Sequence, residues 1–112
     1  MGKYRDAVLA DSPVRYYRLG DATSTAVEEI SGANGTYVNT PTLGATSLVQ
    51  SETDTAVTFT KASSEYVTCG TALVIADTFT FELWVQRAAL GGDEVLISIG
   101  GSGTAQIKFL GA

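Results

Sequence analysis

Period-two alternation is the feature that most limits what this chain can become. In Phe79-Thr80-Phe81-Glu82-Leu83-Trp84-Val85-Gln86-Arg87, the residues Phe79, Phe81, Leu83 and Val85 fall on one side of an extended strand. Thr80, Glu82 and Gln86 fall on the other. Thr55-Ala56-Val57-Thr58-Phe59-Thr60 repeats the pattern, with Val57 and Phe59 on one face and threonines on the other. Runs of this kind, separated by glycine, asparagine and proline turns, predict half-buried antiparallel strands. The face made by Phe79, Phe81, Leu83 and Val85 is expected to be core, and Trp84 is expected to join it.

The rest of the chain reads the same way, with one exception at its start. Tyr4, Val8 and Leu9 recur near helical spacing and Asp11-Ser12-Pro13 is a stop, which predicts a short helix over Lys3 to Ala10. Two turns of helix are marginal alone, so the helix must dock on something. Val14 to Leu19 is β-prone and is closed by Gly20-Asp21, and Ala26 to Ile30 is a weaker strand. Asn34-Gly35 is a strong hairpin dipeptide, with Thr36-Tyr37-Val38 as the strand after it. Thr40-Pro41 and Gly44 mark loop, continuing irregularly to Thr53. Lys61 to Ser64 is a turn, and Glu65 to Cys69 is a return strand. After Gly91-Gly92-Asp93 come Val95 to Ile99, a Gly100-Gly101-Ser102-Gly103 hairpin loop, and a last strand from Ala105 to Leu110. No internal repeat, linker or second domain is evident. The fold class expected is all-β, an antiparallel β-sandwich over residues 14–112 preceded by a helical segment over residues 1–13.

Composition removes whole classes of chemistry. No histidine is present, so a Ser-His-Asp triad and a Cys-His dyad are excluded, as are the usual zinc sites. A single cysteine, Cys69, cannot form an intrachain disulfide, and a buried, unreactive thiol is expected there. Twelve acidic residues against 7 basic ones give a net charge of −5, the wrong sign for a nucleic-acid surface. The longest apolar run, Ala72 to Ala76, is far too short to enter a bilayer, and the N-terminus carries no secretion signal. Synthesis in a cytoplasm is the expectation.

At this level of detail the residues match a family pattern. Asp11-Ser12-Pro13-Val14 with Tyr16-Tyr17-Arg18-Leu19-Gly20-Asp21 resembles the opening of laminin-G-like, concanavalin-A-like domains of phage and bacterial surface proteins. Asn34-Gly35-Thr36-Tyr37, Asp54-Thr55-Ala56-Val57-Thr58-Phe59, Glu65-Tyr66-Val67 and the segment Phe79 to Val85 continue that pattern in order. The resemblance runs from about Tyr4 to Ile99. It implies a jelly-roll sandwich, commonly a non-catalytic module that binds carbohydrate or another protein. The phage versions, which the opening Tyr4 to Pro13 most resembles, imply a part of a tail or other virion appendage, assembled in the host cytoplasm. Its partners would then be other virion subunits, with a homo-oligomer expected, or a cell-surface glycan. Family members continue for several more strands. The resemblance therefore implies an N-terminal part of a longer fold, incomplete at its C-terminus, or open sheet edges covered by neighbouring subunits.

Candidate sites follow from residue type and place. A glycosidase needs two carboxylates at a working distance. Glu82 has Trp84 and Gln86 as same-face neighbours and Glu28-Glu29 would point apart, so no catalytic residues are expected. Calcium needs several converging oxygens. Asp21, Glu28, Asp54, Asp77 and Asp93 sit at turns without a ligand-spaced run, and the turn at Thr60 to Ser64 and the segment Glu28 to Gly32 lack the aspartates that the resemblance implies there. No metal and no cofactor is expected; calcium is the one considered and it is not favoured. For sugar stacking, Tyr37 and Tyr66 lie beside turns and are expected to be exposed, with Asn34 as a polar companion. Lys3, Tyr4 and Arg5, on the helix that cannot stand alone, are the expected partner contacts.

Overall fold

A computed structural model describes residues 2–50, 52–70, 78–89 and 92–99 in full, and residues 105–109 as a backbone strand. The described residues form one short helix and three small antiparallel sheets. The helix, α1, spans Lys3–Ala10, the bounds expected. Its N-cap, Gly2, has no side chain to receive the first free amides. Glu52 supplies one acceptor from across the chain, taking the Tyr4 N–H at 2.8 Å. At the other end Ser12 turns to a positive φ of 53° and Pro13 prevents continuation. No residue of α1 is buried, so polar bonds and one ring contact hold it.

The first sheet has the order β1-β2-β5, from Thr25–Ala26, Gly35–Val38 and Tyr66–Thr68. The second pairs β3, Thr42–Ala45, with β4, Ala56–Thr58. Gly44, at a φ of +77°, lies inside the register shift of that pair, where a bulge needs a backbone that only glycine adopts freely. The third is the hairpin of β6, Glu94–Ile99, and β7, Ala105–Phe109. A 3₁₀ turn over Lys61–Ser63 separates β4 from β5, closed by Ser64 in the left-handed region.

Several expectations change here. Val14 to Leu19 forms only an isolated bridge, Tyr17 to Glu28, and no strand. The Tyr16 N–H goes to the Glu28 carboxylate, and Leu19 bends to a φ of 58°, which ends extension. β3 occupies a stretch expected to be loop. Ala26 to Ile30 shortens to the strand Thr25–Ala26. β5 pairs with β2 and not with β4, so it is not the return strand of a hairpin. Asn34-Gly35 is not a two-residue turn either, because β1 pairs Ala26 directly with Gly35 and the loop between them is residues 27–34.

The largest correction concerns residues 79–87. They join none of the three sheets, and Phe79, Leu83, Trp84 and Val85 are all exposed, with Phe81 half-buried. β-propensity is a preference for a pleated surface with neighbours, and no described strand forms a ladder with this segment. The buried apolar residues among those described are Ala26 and Tyr37. Cys69 is exposed, not buried. The Ala72 to Ala76 run and the Gly100 to Gly103 loop lie outside the described residues.

Gly35 explains why glycine begins β2. A Cβ there would lie 1.8 Å from the Thr68 carbonyl oxygen and 2.9 Å from its carbon. Both are backbone atoms of the paired strand, so relief requires the β2–β5 ladder to open. Gly35→Ala is expected to lower stability by about 3 kcal/mol or more, measured by urea denaturation. A variant with unchanged midpoint would show that the two strands are not this close.

Candidate functional site

The most organised polar structure is built on Glu28, which is 3% exposed. Its Oε1 accepts the N–H of Tyr16 at 2.8 Å and of Ile30 at 2.9 Å. Its Oε2 accepts the N–H of Ser31 at 2.6 Å and of Gly32 at 3.0 Å, with the Ser31 hydroxyl at 2.8 Å. The Glu28 N–H itself donates to Asn34 Oδ1 at 2.9 Å. Tyr17 closes the far side by donating its hydroxyl to the Ala33 carbonyl at 2.7 Å. Residues 28–34 are thereby wound around one carboxylate. Burial alone would push this acid up, but the backbone donors outweigh it and hold the group at about 2, well below its ordinary 4.5.

Glu29 faces a different set of partners. It accepts Arg5 Nε at 2.8 Å and Arg18 Nη1 at 3.3 Å, while Arg18 Nη2 pairs with Asp54. Burial works against the Arg18 charge, and Asp54 and Glu29 more than compensate, holding it above its ordinary value. Arg18, Asp54 and Glu29 line a shallow depression of about 200 Å³ together with Gly20, Asp21 and Val27. Asp21 turns partly away from it, accepting the Tyr37 hydroxyl at 2.7 Å and the Val27 N–H at 3.3 Å. Burial first, and that bond second, push the Tyr37 phenol up. A second depression, of about 250 Å³, is lined by Ala22, Thr23, Ser24, Tyr37, Thr40, Pro41 and Leu43.

The three residues expected to hold a ligand are not brought together. Tyr37 is 6% exposed and bonded to Asp21, which corrects the expectation that it would be exposed. Tyr66 is 51% exposed, as expected. The register sets Tyr37 opposite Val67 and Tyr66 opposite Val38, so the two tyrosines lie on opposite faces of the sheet. Asn34 is exposed, and its side-chain oxygen is committed to the Glu28 N–H. Of the expected partner contacts, Lys3 is exposed, whereas Tyr4 and Arg5 are tied to the chain itself. Tyr4 donates its hydroxyl to Glu82 at 2.8 Å and sets its ring edge-on to Trp84 at 6.2 Å; Arg5 holds Glu29. Glu82 therefore binds α1, and Asp77 lies outside the described residues.

No motif marks Glu28 as the hub. The one legible hint was an acid followed by Ser31-Gly32, small residues whose amides can crowd a carboxylate. Comparison with protein-family models, with curated proteins and with solved structures finds no match.

A glutamate held below its unfolded value contributes stability above about pH 4.5, and that contribution fades as pH falls toward 2. Glu28→Gln keeps the shape but sets an NH₂ against backbone donors. It is expected to cost about 3 kcal/mol at pH 7. The gap between the parent and Glu28→Gln should narrow by about 2 kcal/mol between pH 7 and pH 3, read from urea denaturation at both. An equal gap at the two pH values would refute the carboxylate's role.

Proposed function

We propose that this chain is a non-catalytic structural and attachment module of a phage virion, part of a tail or other appendage. Its three antiparallel sheets are then parts of a laminin-G-like, concanavalin-A-like sandwich that is finished by contact with neighbours. The motif order from Asp11-Ser12-Pro13-Val14 to Phe79–Val85 supports the family reading. The observation that carries the assembly reading is the amount of open surface. The chain exposes 8029 Å² at 11.7 kDa, against about 5,900 Å² for a compact monomer of that mass. Its radius of gyration, 14.3 Å, likewise exceeds the roughly 13 Å of a compact domain of this length. Much of the exposed apolar surface lies in one segment, with Phe79 at 56% and Trp84 at 61%. Such a surface is what an interaction partner covers.

The test is fractionation of particles released from cells carrying the genome that encodes this chain, probed with an antibody to the purified protein. Co-sedimentation with virions is expected, and a chain confined to the soluble fraction would overturn the reading.

A second reading, a lectin-like module that recognises carbohydrate, draws on the exposed Tyr66 ring. It predicts glycan-array binding that Tyr66→Ala abolishes, with sedimentation apart from particles.

A further inference from the structure

Side chains along residues 79–84 still alternate as in a strand. Phe79 and Phe81 meet each other, rings 5.4 Å apart and edge-on, while Glu82 and Trp84 both meet Tyr4. Among the described residues, the backbone N–H and C=O groups of 78–86 meet no protein partner. An extended, apolar segment with unpaired backbone is a template for another strand.

From these features we infer that residues 80–86 pair antiparallel with the same residues of a second copy, across a two-fold axis at Leu83. This rests on the assembly reading above and names the partner. The register follows from the side chains. Centred on Leu83, Phe81 faces Val85 and Leu83 faces Leu83 on one side, while Glu82 faces Trp84 and Thr80 faces Gln86 on the other. Moving the axis to Glu82 sets two carboxylates directly opposite, which is destabilising. Moving it midway between Glu82 and Leu83 sets Glu82 against Leu83 and Thr80 against Val85, polar against apolar. A second copy is the occupant that the side chains fit, because in this register apolar meets apolar on one face and no like charges stand opposite each other. Each copy carries a charge of −5, so the copies repel at long range and the pairing strengthens as salt is raised.

The test uses one thiol at the axis. In C69S/L83C the two Cys side chains sit directly opposite, within disulfide reach. In C69S/T80C they are separated by about 20 Å across the ladder. Mild oxidation is expected to convert most of the first variant to a covalent dimer and to leave the second monomeric. Because Leu83→Cys could disturb folding, hydrogen exchange is also measured on the unaltered chain at low and high concentration. The amides of 80–86 are expected to slow as light scattering reports dimer. A monomer at every concentration, or a dimer whose 80–86 amides exchange unchanged, overturns self-pairing through this segment. Equal cross-linking of the two variants overturns the Leu83 axis. Co-sedimentation with virions would stand through any of these failures, so the two readings fall separately.

Discussion

The Glu28 carboxylate is the interaction on which the described architecture depends. It collects four backbone amides and a hydroxyl that would otherwise be unpaired in a loop, and it does so from a nearly fully buried position. The loop it organises carries Glu29 to Arg5 and Arg18, and through Arg18 to Asp54. It also brings Asn34 and Ala33 to the start of β2, where Gly35 meets Thr68. With so few buried apolar side chains among the described residues, this part of the chain relies on charge-assisted hydrogen bonds where larger domains rely on a core.

That division of labour explains what could be read from the sequence and what could not. Local signals were legible. Pro13 ends α1, the turn at Lys61 to Ser64 forms, and the strand expected over Val95 to Ile99 becomes β6. Pairing was not legible, because it depends on contacts between segments distant in sequence. Nothing within Glu65 to Cys69 says that its partner is β2, and nothing within Phe79 to Arg87 says that none of the described strands would pair with it. The candidate site was hidden for a different reason. Glu28 looks like any acid beside another acid, and only the loop's three-dimensional course turns four amides inward.

The contrast between Tyr37 and Tyr66 makes the same point at residue level. Both are tyrosines of short strands beside turns, and both were expected to be exposed. A single register step sends one beneath the sheet to Asp21 and leaves the other in solvent. The first became a structural strut and the second a free ring.

The close approach at Gly35 also has a consequence for the order of folding. The Glu28 loop closes over short sequence distances, from Tyr16 to Asn34, whereas β2 reaches β5 only across residues 39–65. Contacts near in sequence cost less chain entropy and form sooner. The loop is therefore the natural nucleus, and the Gly35–Thr68 contact acts as a late gate that admits β5 only in its final register. During that interval Phe79, Trp84 and Val85 gain no shelter from the part already folded. Those side chains are still exposed once β5 is in place, so closing two backbones on a position with no side chain finishes the sheet without sheltering them.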